Sequence, residues 1–171
     1  GSRNELDPTW SPDGARLAFG GLPSRIRQDP IAIWILDLRS GEVSTIPSSD
    51  GLFSPRWSPD GKSIAVLSAD ATRLRLYTLA TRNWRELLSG TAPLAYPTFT
   101  RDGNRIQLLV GDRVVRVRVA DGRVETVTTL EHMSLVEFFG YWVGLASDDS
   151  PITLRETGAI REVYALDVEW P

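Results

Sequence analysis

The chain contains no cysteine, so it can form neither disulfides nor thiolate-ligated zinc and iron–sulfur sites. It contains one histidine, His132, so no site built on two imidazoles can exist within it. Lysine is nearly missing: of the 19 basic residues only Lys62 is lysine, a compositional bias to which we attach no function. No run approaches the ~18 consecutive apolar residues that a membrane-spanning helix needs. The net charge of −3 lacks the basic excess of a nucleic-acid binder, so nucleic acid is not an expected partner. No segment carries an apolar period of 3.6 long enough for a helix, so essentially no helix is predicted. There is no G-x-S-x-G nucleophile elbow, no G-x-x-x-x-G-K-[ST] phosphate loop and no closely spaced run of calcium-ligating oxygens.

What remains is 171 residues, 42% hydrophobic and 24% charged, the make-up of one globular domain or one array of small repeats. Six tryptophans are many for this length and mark core or interface packing. Gly1-Ser2 reads as a cloning scar, so residues 1–6 are set aside as scar and leader.

The chain repeats. Pro8-Thr9-Trp10-Ser11-Pro12-Asp13-Gly14 is followed by Ala15-Arg16-Leu17-Ala18-Phe19. Pro55-Arg56-Trp57-Ser58-Pro59-Asp60-Gly61 is followed by Lys62-Ser63-Ile64-Ala65-Val66. Pro97-Thr98-Phe99-Thr100-Arg101-Asp102-Gly103 is followed by Asn104-Arg105-Ile106-Gln107-Leu108. Gly14, Gly61 and Gly103 lie 47 and 42 positions apart, within the period of propeller blades. In each unit proline opens a strand whose own N–H needs no partner. The aromatic (Trp10, Trp57 or Phe99) faces a neighbouring unit. Asp13, Asp60 and Asp102 bond backbone N–H groups of the turn, and the glycine accepts positive φ. Being equivalent by repeat, these turn residues are structural.

A third strand (31–38, 74–79, 114–119), a polar turn and a weaker outer strand (43–46, 84–88, 124–128) complete each unit. The expected fold is therefore all-β, a propeller of about four blades of four antiparallel strands. The blades are taken as 7–50, 51–92, 93–132 and an incomplete 133–171. In the last, 135–138 would be the inner strand and 141–146 the second, with 152–155 and 162–166 pairing across Gly158. Its outer strand is missing. Such a half-propeller leaves apolar blade faces bare, and large bare faces signal association. The expected partner is self, either a homodimer closing an eight-bladed ring or missing upstream blades.

The Pro-x-Trp-Ser-Pro-Asp-Gly repeats and the strands after them resemble the TolB-type, WD-repeat-like β-propeller family. The ending, Trp142 to Pro151 and then Leu154-Arg155-Glu156-Thr157-Gly158 and Glu162 to Asp167, resembles the C-terminus of bacterial, chiefly acidobacterial, proteins. These join a winged-helix DNA-binding or Ser/Thr kinase domain to a TolB-like propeller. The resemblance implies a signalling role, a propeller that is the last part of a longer one, and an extracytoplasmic location. The lack of cysteine fits cytosol and periplasm alike.

His132 sits in a linker and reads as an exposed loop residue; pairing with Glu131 or Glu137 as a general base has no supporting motif. Adjacent Asp148 and Asp149 read as turn carboxylates rather than a catalytic pair. Arg73 and Arg75, and Arg116 and Arg118, alternate with apolar residues, so each pair shares one face of its strand. They are either a basic patch for an acidic partner or arginines that pair and pack between blades, the reading that the acidic chain favours. Arg25 and Arg27, in the loop 22–30, are candidate contacts. The expectation is a non-enzymatic recognition or sensor module for a protein or small ligand, without cofactor or metal. The alternatives are a gating propeller of a hydrolase, as in prolyl-oligopeptidase-type enzymes, and a self-assembling structural array.

Overall fold

The computed structural model describes residues 5–21, 30–131 and 142–154. The described residues form fourteen strands in four antiparallel sheets. The first sheet is β1 (Leu6–Trp10), β2 (Arg16–Gly20), β3 (Ile33–Asp37) and β4 (Val43–Thr45). The second is β5 (Leu52–Trp57), β6 (Ser63–Ser68), β7 (Arg73–Thr78) and β8 (Asn83–Ser89). The third is β9 (Leu94–Phe99), β10 (Arg105–Val110), β11 (Arg113–Arg118) and β12 (Val124–Thr129). The fourth is a hairpin, β13 (Val143–Leu145) and β14 (Pro151–Thr153). Each strand pairs with its sequence neighbour, so every sheet is a meander without a crossover.

The turn chemistry closes the first hairpin of each blade. Asp60 Oδ1 accepts from Ser58 Oγ at 2.6 Å and from Lys62 N at 3.0 Å, while Ser63 N donates to Ser58 Oγ at 2.9 Å. Ser11, Asp13 and Arg16 repeat this network, as do Thr100, Asp102 and Arg105. Gly14, Gly61 and Gly103 take φ of +68°, +69° and +70°. That left-handed conformation costs glycine nothing.

Period two gives each sheet two apolar faces, and the sheets stack through them. Ala18, Ile33 and Ile46 of the first blade pack on Trp57, Ile64, Val66 and Tyr77 of the second. Ala65, Leu67, Leu74 and Leu76 pack on Phe99, Ile106, Leu108, Val115 and Val117 of the third. Between the third and fourth sheets a smaller cluster holds Leu109, Val114, Leu130 and Val143. Ile33, Ile64, Leu74, Ile106 and Val117 are fully buried. Long-reach bonds add to the stacking. Trp84 Nε1 donates to Pro47 O at 2.8 Å, and Arg85 Nη1 donates to Ala120 O at 3.2 Å.

The fourth unit departs from the expected strand assignment. β13 lies beside β9 and β10, as β9 lies beside β5 and β6. It therefore holds the inner position that the sequence reading gave to 135–138 and makes 141–146 the first strand, not the second. Its turn is a disguised copy of the others. Asp148 Oδ1 accepts from Ser150 N at 2.9 Å, and Asp149 takes the glycine position with φ +62°. Aspartate is among the few residues that tolerate this region. Residues 135–138 and 162–166 lie outside the described residues.

Candidate functional site

The inner strands of the first three sheets carry one irregularity each, at the residue before proline. The register shifts between Leu6 and Thr9, between Phe53 and Arg56, and opposite Gln107 and Leu109. There Asp7, Ser54 and Tyr96 take φ of +51°, +55° and +54°. A bulge re-aims the side chain it carries. These three equivalent residues, from three blades, gather around one carboxylate. Ser54 Oγ donates to Asp7 Oδ2 at 2.7 Å. Arg56 Nη1 lies 2.9 Å from Asp7 Oδ1 and donates to Pro55 O at 2.6 Å. Burial pushes the Tyr96 phenol up, and the Asp7 charge adds to the shift. Side-chain exposures of 24% for Arg56 and 29% for Asp7 leave both reachable from solvent.

This cluster offers a carboxylate, a guanidinium, a hydroxyl and a phenol at the strand edges that face one another across consecutive blades. It can orient a polar ligand such as a peptide by hydrogen bonding. It holds no imidazole to deprotonate Ser54, and His132 lies outside the described residues. Among the described residues no group of three or more acidic or imidazole side chains is gathered for a metal. The sequence reading missed this site. The signal available was the residue before each repeated proline, which differs in chemistry from blade to blade while the motif after it does not.

The arginines do not form one patch. Arg73 is exposed opposite Ser89, and Arg75 lies with its guanidinium 5.1 Å from the Trp84 ring centre. Both share the β7 face of Tyr77, toward the first blade. Arg116 and Arg118 share the opposite kind of face, that of Val114, toward the fourth sheet. Arg118 pairs with Asp121, donating from Nε at 2.8 Å. That ion pair holds the Asp121 carboxyl down at about 2. Arg116 is half-buried and bridges two blades, donating to Gln107 Oε1 at 3.3 Å and to the Asp149 carbonyl. Arg25 and Arg27 lie outside the described residues. Arg105, Arg116, Arg118, Arg123 and Glu125 line a cleft of about 360 Å³ at the outer edge of the third blade.

Comparison with known proteins fixes the fold and corrects one functional expectation. No family model matches the chain. An uncharacterized peptidase, YuxL of Bacillus subtilis, is 30% identical over 114 residues, covering 61% of this chain and 17% of that protein. The Tol-Pal system protein TolB of Alcanivorax borkumensis is 37% identical over 67 residues, 38% of this chain and 15% of that protein. Among solved structures, TolB from Acinetobacter baumannii superposes with a TM-score of 0.66 at 20% identity, covering 92% of this chain and 39% of that one. The propeller domain of the Pyrococcus furiosus trilobed protease gives 0.60 at 15% identity, covering 92% and 58%. The Pyrococcus horikoshii acylaminoacyl peptidase gives 0.60 at 16%, covering 90% and 32%. The fold is that of TolB-like β-propellers, and the chain spans less than a fifth of the sequence relatives it matches. The expectation that the protein is not an enzyme is overturned: its sequence relatives and structural neighbours include peptidases. The reason is one of scope. The motif search excluded known catalytic sets in these residues, whereas the similar enzymes are far longer than this stretch.

Proposed function

We propose that the chain is part of the propeller of a larger hydrolase of the peptidase class. In that setting it shapes the path of a peptide substrate and does not supply the reacting groups. The observation that carries this reading is the 30% identity to the B. subtilis peptidase over 114 residues. The chemistry agrees with it. A hydrolase of this kind needs a nucleophile and a base placed together. This stretch has no cysteine, no nucleophile elbow and a single histidine. What it does place near the propeller axis is the Asp7–Arg56–Ser54–Tyr96 cluster, whose donors and acceptors suit a peptide's amides and termini.

The test uses the whole protein encoded around these residues. It is treated with a fluorophosphonate probe, and aminoacyl p-nitroanilides are supplied as substrates. The expected result is covalent labelling and release of p-nitroaniline, both abolished by prior treatment with the probe. A whole protein that neither labels nor hydrolyses, or whose other domain is a winged helix or a kinase, overturns the proposal.

A further inference from the structure

Beside its two tight turns, each of the first three sheets carries one row of side chains across its second and third strands and the entry to its fourth. In the first sheet Arg16 stands opposite Asp37, and Asp37 N donates to Glu42 O, so unlike charges meet. In the second the row is Ser63, Thr78 and Asn83, all uncharged. In the third Arg105 stands directly opposite Arg118, and Arg118 N donates to Arg123 O. A row that two sheets keep mixed or neutral is thus wholly cationic in the third. Like charges directly opposite on a sheet are destabilising.

The charge is not cancelled locally. Asp121 engages one guanidinium, accepting from Arg118 Nε at 2.8 Å. Asp102 is held in its own turn by Thr100 and Asn104, and Glu125 stands opposite Arg116, outside the row. The side chains of Arg105 and Arg123 make no hydrogen bond or ion pair among the described residues. Arg105, Arg118 and Arg123 are exposed and line one cleft of about 360 Å³. Arg105 and Arg118 also line an adjoining cleft of about 410 Å³. A neighbouring blade does not close such a row. Arg16, Asp37, Ser63 and Thr78 are only half-buried, and Glu42 and Asn83 are exposed, although the next sheet packs against each of these two.

We propose that the row Arg105–Arg118–Arg123 is a docking site for an acidic segment of a protein partner. Guanidiniums take carboxylates through two parallel N–H donors, and clustered arginines are a recurrent device for recognising acidic motifs. Carboxylate side chains suit the row better than a free phosphate. Phosphate sites lean on backbone N–H groups. Here those of Arg118, Val119, Gly122 and Arg123 are taken, by Arg123 O, Asn104 O, Arg118 O and Asp121 Oδ1. Val124, 44% exposed in the same cleft, adds apolar surface for the stem of a glutamate. The site is separate from the Asp7 cluster, because the row lies at the opposite end of the strands from the bulges. The proposal is therefore independent of the peptidase reading.

The whole protein is titrated with a fluorescein-labelled hexaglutamate peptide at low ionic strength and read by anisotropy. It is compared with Arg105→Ser/Arg118→Thr/Arg123→Asn, which installs the neutral row of the second sheet. The control, Arg39→Ser/Arg73→Thr/Arg82→Asn, removes the same charge from exposed positions elsewhere. The row variant is expected to bind at least about tenfold more weakly than the natural protein, since hydrogen bonds between charged groups are lost. The control is expected to stay within about twofold, since distant exposed charges are screened. The Tm of the row variant is expected to equal or exceed that of the natural protein, because like charges no longer meet. No peptide binding, or an equal loss in both variants, overturns the proposal. So does a fall in the Tm of the row variant, which gives the arginines a structural role. Row-dependent binding of inorganic pyrophosphate with none of the peptide also overturns it, and assigns the row to a phosphoryl ligand.

Discussion

The blade turns are held by carboxylates that work only when ionised. Hydrogen bonds from Thr100 and Asn104 hold the Asp102 carboxyl down at about 2, and those from Ser68 and Thr72 hold Asp70 there too. Asp13, Asp60 and Asp148 are lowered by the same kind of bond, chiefly from Ser11, Ser58 and Ser150. A carboxyl depressed on folding stabilises the fold fully above its unfolded value, near 4. That stabilisation is lost as pH falls through the folded value. The Tm is therefore expected to hold from pH 7 to about 4 and to drop between about 4 and 2. In Asp102→Asn the drop becomes shallower, as thermal melts across that range will read. Glycine gives a second expectation. Gly14 and Gly122 share positive φ, but a Cβ on Gly122 would lie 2.6 Å from Leu87 O, and one on Gly14 meets nothing. Gly14→Ala should cost about 1 kcal/mol for backbone strain alone. Gly122→Ala should cost on the order of 3 kcal/mol, since backbone must also move. Urea titration distinguishes them.

The seams between sheets differ in kind. In the first two blades the residues facing the next sheet are Ala18 and Ile35, then Ala65 and Leu76. In the third the same pair is Gln107 and Arg116. Gln107 is 1% exposed, and its Nε2 donates to Gly144 O at 2.9 Å. The turns change in concert. Where Pro12 and Pro59 touch a glycine, Arg101 has an N–H to satisfy, and the Asp149 carboxylate accepts it at 2.9 Å. The polar seam is thus internally matched, so breaking one member is expected to hurt more than replacing the set. Gln107→Ala should cost about 1–3 kcal/mol by stranding buried partners. Gln107→Ala with Arg116→Leu, the pair of the second blade, should cost less than the two single changes added, which a double-mutant cycle measures. In an apolar seam the ledger is simpler: Trp57→Ala should cost about 3–5 kcal/mol by opening a cavity.

Three sheets and their turns were legible because they rest on local signals: a period of two, a proline that starts a strand and a glycine that ends a turn. The fourth was read one strand out of place because Asp149 stands in the glycine position and Ala146 where serine or threonine stands elsewhere. The Asp7 cluster was not legible, since Asp7 and Ser54 are 47 residues apart and meet only because inner strands of successive blades adjoin. Nor was the separation of the arginines, because alternation says that Arg73 and Arg75 share a face but not which neighbour that face meets.

Taken as a molecule, the chain is a stack of sheets with Trp10 exposed and Phe19 and Trp34 buried on its first face, and its relatives are several times its length. The peptidase setting proposed for it is tested by the probe experiment on the whole protein. The amino-acid order alone settles the repeat and the strands and turns of its first three units, because these depend on neighbours a few residues away. Only the stacked arrangement decides which faces are polar, which side chains meet near the axis and which aromatic is left uncovered. Those depend on contacts between blades some forty residues apart, and no local pattern records them.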